Sequence, residues 1–131
     1  VRYAVELHDS VLHAVRMLGR DVVLELRPAY VHRWEAGAAT GWVQDVDIVV
    51  SAAALERTTG GSLPVRLLDG QVRAGGAVHD NLIPLPLRAA DAVRVSLEGP
   101  GELHLGVEGA SIEVRARGAA RYVEPSPWDG G

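Results

Sequence analysis

Residues 93–116 read VRVSLEGPGELHLGVEGASIEVRA, and their alternation decides the fold class. With Gly99-Pro100-Gly101 as a loop, Leu97 falls opposite Leu103, Val95 opposite Leu105 and Val93 opposite Val107, while Arg94, Ser96 and His104 take the other face. A two-residue turn at Gly109-Ala110, with glycine first as type II′ geometry prefers, then sets Val107 against Ile112, Leu105 against Val114 and Leu103 against Ala116. A slip of one residue sends all of these side chains to water, so the pattern predicts a three-stranded meander.

The same period of two recurs on both sides of this stretch. Asp69-Gly70 reads as a type I′ turn between residues 63–68 and 71–74, which sets Arg66 opposite Arg73. Like charges so placed call for a carboxylate, a partner or a bound anion. Near the start, a Gly19-Arg20 turn pairs Met17 with Val22, Val15 with Leu24 and His13 with Leu26, but leaves Leu12 and Leu18 facing the other way. Trp42, Val46, Ile48 and Val50 share a strand face, with Asp45 and Asp47 on the opposite, solvated one. Residues 82–87 carry Pro84 and Pro86 two apart, which predicts an edge strand. Residues 35–41 read as a surface loop.

No segment shows a sustained helical period. Between about eight and eleven short strands follow, separated by glycine-bearing turns, and the predicted fold is all-β: a two-sheet antiparallel β-sandwich, jelly-roll-like or immunoglobulin-like in topology. One domain over residues 1–124 and an extended C-terminal tail over 125–131 account for the chain.

Composition excludes several chemistries. The 131 residues contain no cysteine, so disulfides and thiolate metal sites are impossible. All thirteen basic residues are arginine, which removes lysine Schiff bases and the phosphate-loop lysine. A net charge of −4 offers no field to attract nucleic acid or an anionic membrane. No apolar run reaches the length of a membrane span and no secretory leader opens the chain, so the expected compartment is the cytoplasm.

Two trios could carry chemistry: His8-Asp9-Ser10 before one strand-like run and His79-Asp80-Asn81 before another. Imidazole and carboxylate are good ligands for zinc or iron, so His8, His32 and His79 with Asp9 or Asp80 make a candidate metal set if the two strand mouths adjoin. The alternative is turn chemistry, with the aspartates accepting backbone N–H bonds. Ser10 lies beside Asp9 and His8 in sequence only, and no serine sits in a nucleophile-elbow motif. Trp34 and Trp42 flank residues 35–41; Trp42 is expected inside and Trp34 half exposed. His13 is expected on an apolar face and His104 outward beside Arg115, neither with a functional role.

The opening Leu7-His8-Asp9-Ser10-x-Leu12, followed by a Gly-Arg-Asp turn, resembles that of small uncharacterised bacterial all-β proteins, some of them immunity-type proteins of toxin systems. Residues 30–33, 41–44 and 79–86 resemble parts of the same kind of protein. The resemblance implies the fold class and a bacterial origin.

The leading expectation is a non-enzymatic binding module that recognises a protein or small ligand through His8, Asp9, His32, Trp34, His79, Asp80 and Asn81, with no cofactor. The second is a metal-dependent enzyme with a divalent transition ion such as zinc on His8, His32 and His79. A third is a carbohydrate-binding module using Trp34 and Tyr30. Homo-oligomers through a sheet face fit any of them.

Overall fold

Residues 1–57 and 62–126 are described by a computed structural model of the chain. In chain order the strands are β1 (Arg2–Glu6), β2 (Val11–Leu18), β3 (Asp21–Glu35), β4 (Ala38–Ser51), β5 (Ala54–Arg57), β6 (Val65–Arg66), β7 (Asp69–Ala74), β8 (Ala77–Asp80), β9 (Leu82–Pro84), β10 (Leu87–Ala89), β11 (Val93–Gly99), β12 (Leu103–Gly109) and β13 (Ser111–Pro125). They form an eight-stranded sheet along β10-β13-β4-β3-β1-β9, with β2 and β6 branching from β3, and a five-stranded sheet ordered β5-β12-β11-β7-β8. Every pairing is antiparallel. The fold is all-β, and its two sheets pack as a sandwich. Leu24, Ile48 and Val114 from the larger sheet share one core with Val72, Leu97 and Leu105 from the smaller. No helix among the described residues is long and apolar enough to cross a membrane.

Three long strands hold the larger sheet together. In β3 the positions in the core between the sheets are Val22, Leu24 and Leu26, then Ala29 and Val31, so the inward parity changes around Arg27-Pro28. Pro28 has no N–H to give the ladder, and the register with β4 shifts between Leu26 and Ala29. The strand thus turns a corner without losing its apolar face. The first half of β3 pairs with β2 and the second half with β1. At the far end, Ala36 and Gly37 both take positive φ (52° and 78°), the pattern of a type I′ turn, and Glu35 pairs with Ala38. Residues 38–41 are therefore strand, and the surface loop expected over 35–41 shrinks to a two-residue turn.

Strands β9 and β10 end the six-strand path at opposite edges, yet only Leu85 and Pro86 separate them. Three Cα steps reach at most about 11 Å. A flat six-strand sheet would put its edges about 24 Å apart. The larger sheet must therefore curl, and the single edge strand expected over residues 82–87 is two strands instead, β9 beside β1 and β10 beside β13, with Leu85-Pro86 between them.

The β11–β12 hairpin keeps the predicted faces, but its register is shifted by two residues, with the three-residue loop moved to 100–102: Gly99 pairs with Leu103, Leu97 with Leu105 and Val95 with Val107. The third strand of the expected meander belongs elsewhere. Ile112 pairs with Val50 and Val114 with Ile48, in the other sheet. Gly109 permits the crossing, because a Cβ there would stand 2.4 Å from Val50 Cγ1 and 2.6 Å from the Ser51 carbonyl oxygen. Asp69-Gly70 is no hairpin turn either, since β6 pairs with β2 while β7 pairs with β11 and β8. Gly70 is glycine because a Cβ would stand 2.5 Å from Leu7 Cδ1. Arg73 consequently faces Arg94 rather than Arg66, and Arg94 is answered by Glu108 at 2.7 Å.

In the first hairpin, Met17 meets Val22 and Val15 meets Leu24 as read, but a bulge between Leu12 and Ala14 pairs Leu12 with Leu26. That bulge buries Leu12 and turns His13 out to solvent.

Candidate functional site

The site forms where β1 runs into β2. Val5 and Val31 are in the core, so the alternate residues Glu6, Tyr30 and His32 take the outer face of the curled sheet. The register sets Glu6 beside Tyr30, Ala4 beside His32 and Arg2 beside Trp34. Past Glu6 the chain enters a tight turn in which four successive N–H groups each find an acceptor. Leu7 donates to the Asn81 carbonyl (2.8 Å) and Asp9 to that of Leu67 (3.1 Å), while Ser10 donates to that of Leu7 (3.0 Å). His8 donates to the Asn81 side-chain oxygen, Oδ1, at 2.7 Å. The Ser10 hydroxyl donates to the Glu6 carbonyl (2.6 Å) and accepts from the Tyr30 N–H (3.0 Å). Asp9 holds φ at 74°, a left-handed value that aspartate tolerates better than most residues.

Glu6, His8 and Asp9 are the one group of three or more metal-capable side chains found among the described residues, with one ligand atom from each lying within 4.8 Å of the others. His8 Nδ1 stands 3.6 Å from Glu6 Oε2 and 3.2 Å from Asp9 Oδ2. The Arg66 guanidinium lies 3.7 Å from Asp9 Oδ1. Burial first, then the hydrogen bond to Glu124, raises the Tyr30 phenol above its ordinary range; the charges of Glu124, Glu6 and Asp9 push the same way.

The other oxygen of Glu6 faces inward. His32, wholly buried, brings its Nε2 to 2.8 Å from Glu6 Oε1. A carboxylate only accepts, so Nε2 carries a proton; in the neutral ring Nδ1 then accepts from the Ser126 hydroxyl 2.6 Å away. The imidazole lies between Tyr30 (centroids 5.0 Å) and Trp34 (5.7 Å, 29° between planes). Gly41 makes room for this stack, since a Cβ there would fall 2.1 Å from the Tyr30 hydroxyl oxygen.

The expected seven-residue face is divided. The two strand mouths do adjoin, but through Asn81, whose side chain clamps the His8 backbone. His79 sits in β8 opposite Val72, and Asp80 accepts from Gln71 at 2.6 Å. Asp80 lines a separate depression of about 240 Å³ with Asp69, Glu98 and His104, on the smaller sheet. His79 is outside the metal-capable group, and His32 reaches it only through Glu6. Trp34 is 8% exposed, capped by the Arg2 guanidinium 4.3 Å from its ring, whereas Trp42 is only partly buried, edge-on to Tyr122. The expected roles of the two tryptophans are reversed, and neither Trp34 nor Tyr30, bound through its hydroxyl to Glu124, offers a free platform for a sugar ring.

Asp47, expected outward, is 4% exposed and held by Arg27 at 2.7 Å and Arg117 at 3.5 Å, so it is an ion-pair anchor rather than a solvated acid. Pro125 closes β13 opposite Thr40, and the Ser126 N–H donates to the Ala39 carbonyl at 3.0 Å, so the first two residues of the expected tail are docked. Trp128 and the rest of that tail lie outside the described residues.

Glu6 and Ser126 were not singled out in the sequence. The local signal for Glu6 is weak: it ends β1, and it is the turn after it, over Leu7, His8 and Asp9, that brings the three side chains together. Nothing local points to Ser126, which comes to His32 by β13–β4 pairing.

No protein family, curated protein or solved structure matches the chain. The functional reading rests on geometry.

Proposed function

We propose that this protein is metal-dependent, with a divalent transition ion held by Glu6, His8 and Asp9. The observation that carries the reading is the convergence of one imidazole nitrogen and two carboxylate oxygens on a turn pinned at every backbone N–H. Ligand atoms about 2.1 Å from a tetrahedral ion are about 3.4 Å from one another. The 3.6 Å and 3.2 Å separations around His8 Nδ1 lie on either side of that value. A nitrogen-and-oxygen set suits zinc or a neighbouring first-row ion better than calcium, which takes six or more oxygens.

Three protein ligands leave at least one position to water or substrate, the arrangement that distinguishes catalytic from structural zinc. His8 and Asp9 are nearly half exposed, so that position opens to solvent. An ion there would polarise a bound water or a carbonyl or phosphoryl oxygen, and hydrolysis is the reaction class this favours. A binding face built on His32 and Trp34 is a poorer reading, because both side chains are inside the fold.

The test is calorimetric titration of chelator-stripped protein with zinc, cobalt and manganese, alongside thermal unfolding. An ion at a hundred times its dissociation constant adds about 2.7 kcal/mol of stability. At this chain length that is a rise of roughly 8–15 °C in Tm. His8→Ala should abolish both heat and rise, and a flat response of the native protein to all three ions defeats the reading.

A further inference from the structure

We infer that the C-terminal segment belongs to the metal site, with Ser126 and His32 as positioning residues for the Glu6 carboxylate. The inference rests on the proposed ion at Glu6, His8 and Asp9 and extends it to residues that never touch the ion. Glu6 divides its two oxygens: Oε1 receives the His32 Nε2 proton at 2.8 Å, and Oε2 turns to His8 Nδ1 at 3.6 Å. The rotation of the carboxylate, and so the aim of Oε2, follows the imidazole. The imidazole is itself fixed, stacked on Trp34, packed by the tilted Tyr30 ring, and with Nδ1 on the Ser126 hydroxyl at 2.6 Å. Ser126 is placed in turn by its N–H on the Ala39 carbonyl.

Metal-ligating carboxylates are commonly held by such outer hydrogen bonds, and loss of one weakens metal binding by about 10- to 100-fold. Here the chain of contacts runs from a turn at residues 6–9 to residue 126, which enters by strand pairing. Occupancy of the ion and docking of the C-terminal segment are then linked, and linkage is reciprocal.

Two other readings of the same contacts are weaker. Ser126, His32 and Glu6 have the connectivity of a nucleophile relay, but such a site also needs N–H donors for the acyl oxygen, and the Ser126 N–H is engaged by Ala39. Alternatively, the two hydrogen bonds only satisfy a buried imidazole. That purely structural role predicts lost stability with unchanged metal affinity, so the two can be told apart.

The experiment titrates cobalt into the full chain and follows its visible absorption, for the native protein, Ser126→Ala, Ser126→Thr and His8→Ala. Ser126→Ala should weaken cobalt binding about tenfold and alter the band shape, and Ser126→Thr, which keeps the hydroxyl, should restore both. Zinc should slow hydrogen exchange of the Ser126 amide in the native protein and leave it unchanged in His8→Ala. Native affinity and spectrum in Ser126→Ala, with or without lost stability, overturn the inference while leaving the metal site standing. No cobalt binding by the native protein overturns both.

Discussion

Gly41→Ala probes the architecture under the site with a single methyl group. Gly41 lies opposite His32 and has no left-handed φ, so alanine meets no backbone strain. In a strand interior alanine would by itself gain about 0.5–1 kcal/mol over glycine. The new Cβ, however, would stand 2.1 Å from the Tyr30 hydroxyl oxygen and 2.8 Å from Cζ. Ordinary contacts between carbon atoms begin at about 3.5 Å. The ring must shift by more than an ångström, and three attachments resist. Its hydroxyl donates to Glu124 at 2.8 Å, its ring packs at a tilt against His32, and its backbone N–H is on Ser10. Overpacking of this kind costs about 1–3 kcal/mol. Less the alanine gain, the expected net loss is about 1–2 kcal/mol, a fall of roughly 3–10 °C in Tm.

The decisive comparison is a double-mutant cycle with Tyr30→Ala, read by urea unfolding followed on tryptophan fluorescence. Without the ring, Gly41→Ala should become neutral or stabilising, so the coupling equals the overpacking cost, about 1–3 kcal/mol. Equal costs in the two backgrounds would mean that Tyr30 does not lie over Gly41, and the account of how His32 is held would fail with it. If that account holds, Gly41→Ala also weakens metal binding, because the ring it displaces packs on the histidine that aims Glu6.

Arg27→Met should cost about 3 kcal/mol in urea unfolding, because it leaves Asp47 buried with only the more distant Arg117; adding Asp47→Leu should recover most of the loss, and no recovery would refute the ion-pair account. Tyr30 supplies a test in alkali. Its folded phenol titrates above the ordinary tyrosine value of 10, so the stability gained by keeping it neutral is whole below pH 10 and is lost as pH rises from there toward the raised folded value. Unfolding midpoints of native protein and Tyr30→Phe at pH 8 and 11 should show the steeper fall in the native protein, and parallel falls would exclude the effect.

The fold class was legible because alternation determines which face a side chain takes. It does not determine which strand lies alongside. Leu97, Leu105, Ile112 and Val114 are all inward as read, yet the last two belong to the opposite sheet. A side chain between two sheets meets the same apolar surroundings from either, so hydrophobic pattern cannot assign the partner. The deciding contact is Gly109 against the backbone of Ser51, between residues remote in sequence. Asp69-Gly70 misleads for a related reason. Glycine serves both turns and close approaches, and only the position of Leu7 shows that this one is a close approach.

The site was half legible. His8-Asp9 and His79-Asp80 look alike as letters, but the residue two positions earlier separates them: Glu6 precedes His8, and Ala77 precedes His79. That is the difference between two possible ligands within one short stretch and one alone, although the turn at residues 7–9, not strand alternation, brings Glu6 to His8. The run Tyr30-x-His32-x-Trp34 carries a second usable signal, three rings on one strand face, with the small residues Ala4 and Gly41 on either side of the middle one. Such a face is built to be covered, which argues against reading His32 and Trp34 as an open binding surface. A histidine closed in by rings cannot reach solvent or a ligand of its own, so it acts through whatever its two nitrogens hold. Here one holds a carboxylate that shares a turn with His8 and Asp9, and the other holds the end of the last strand. On the proposed reading the chemistry would sit at the surface on residues 6–9, while what would orient it lies beneath, on residues that a motif search for ligands passes over.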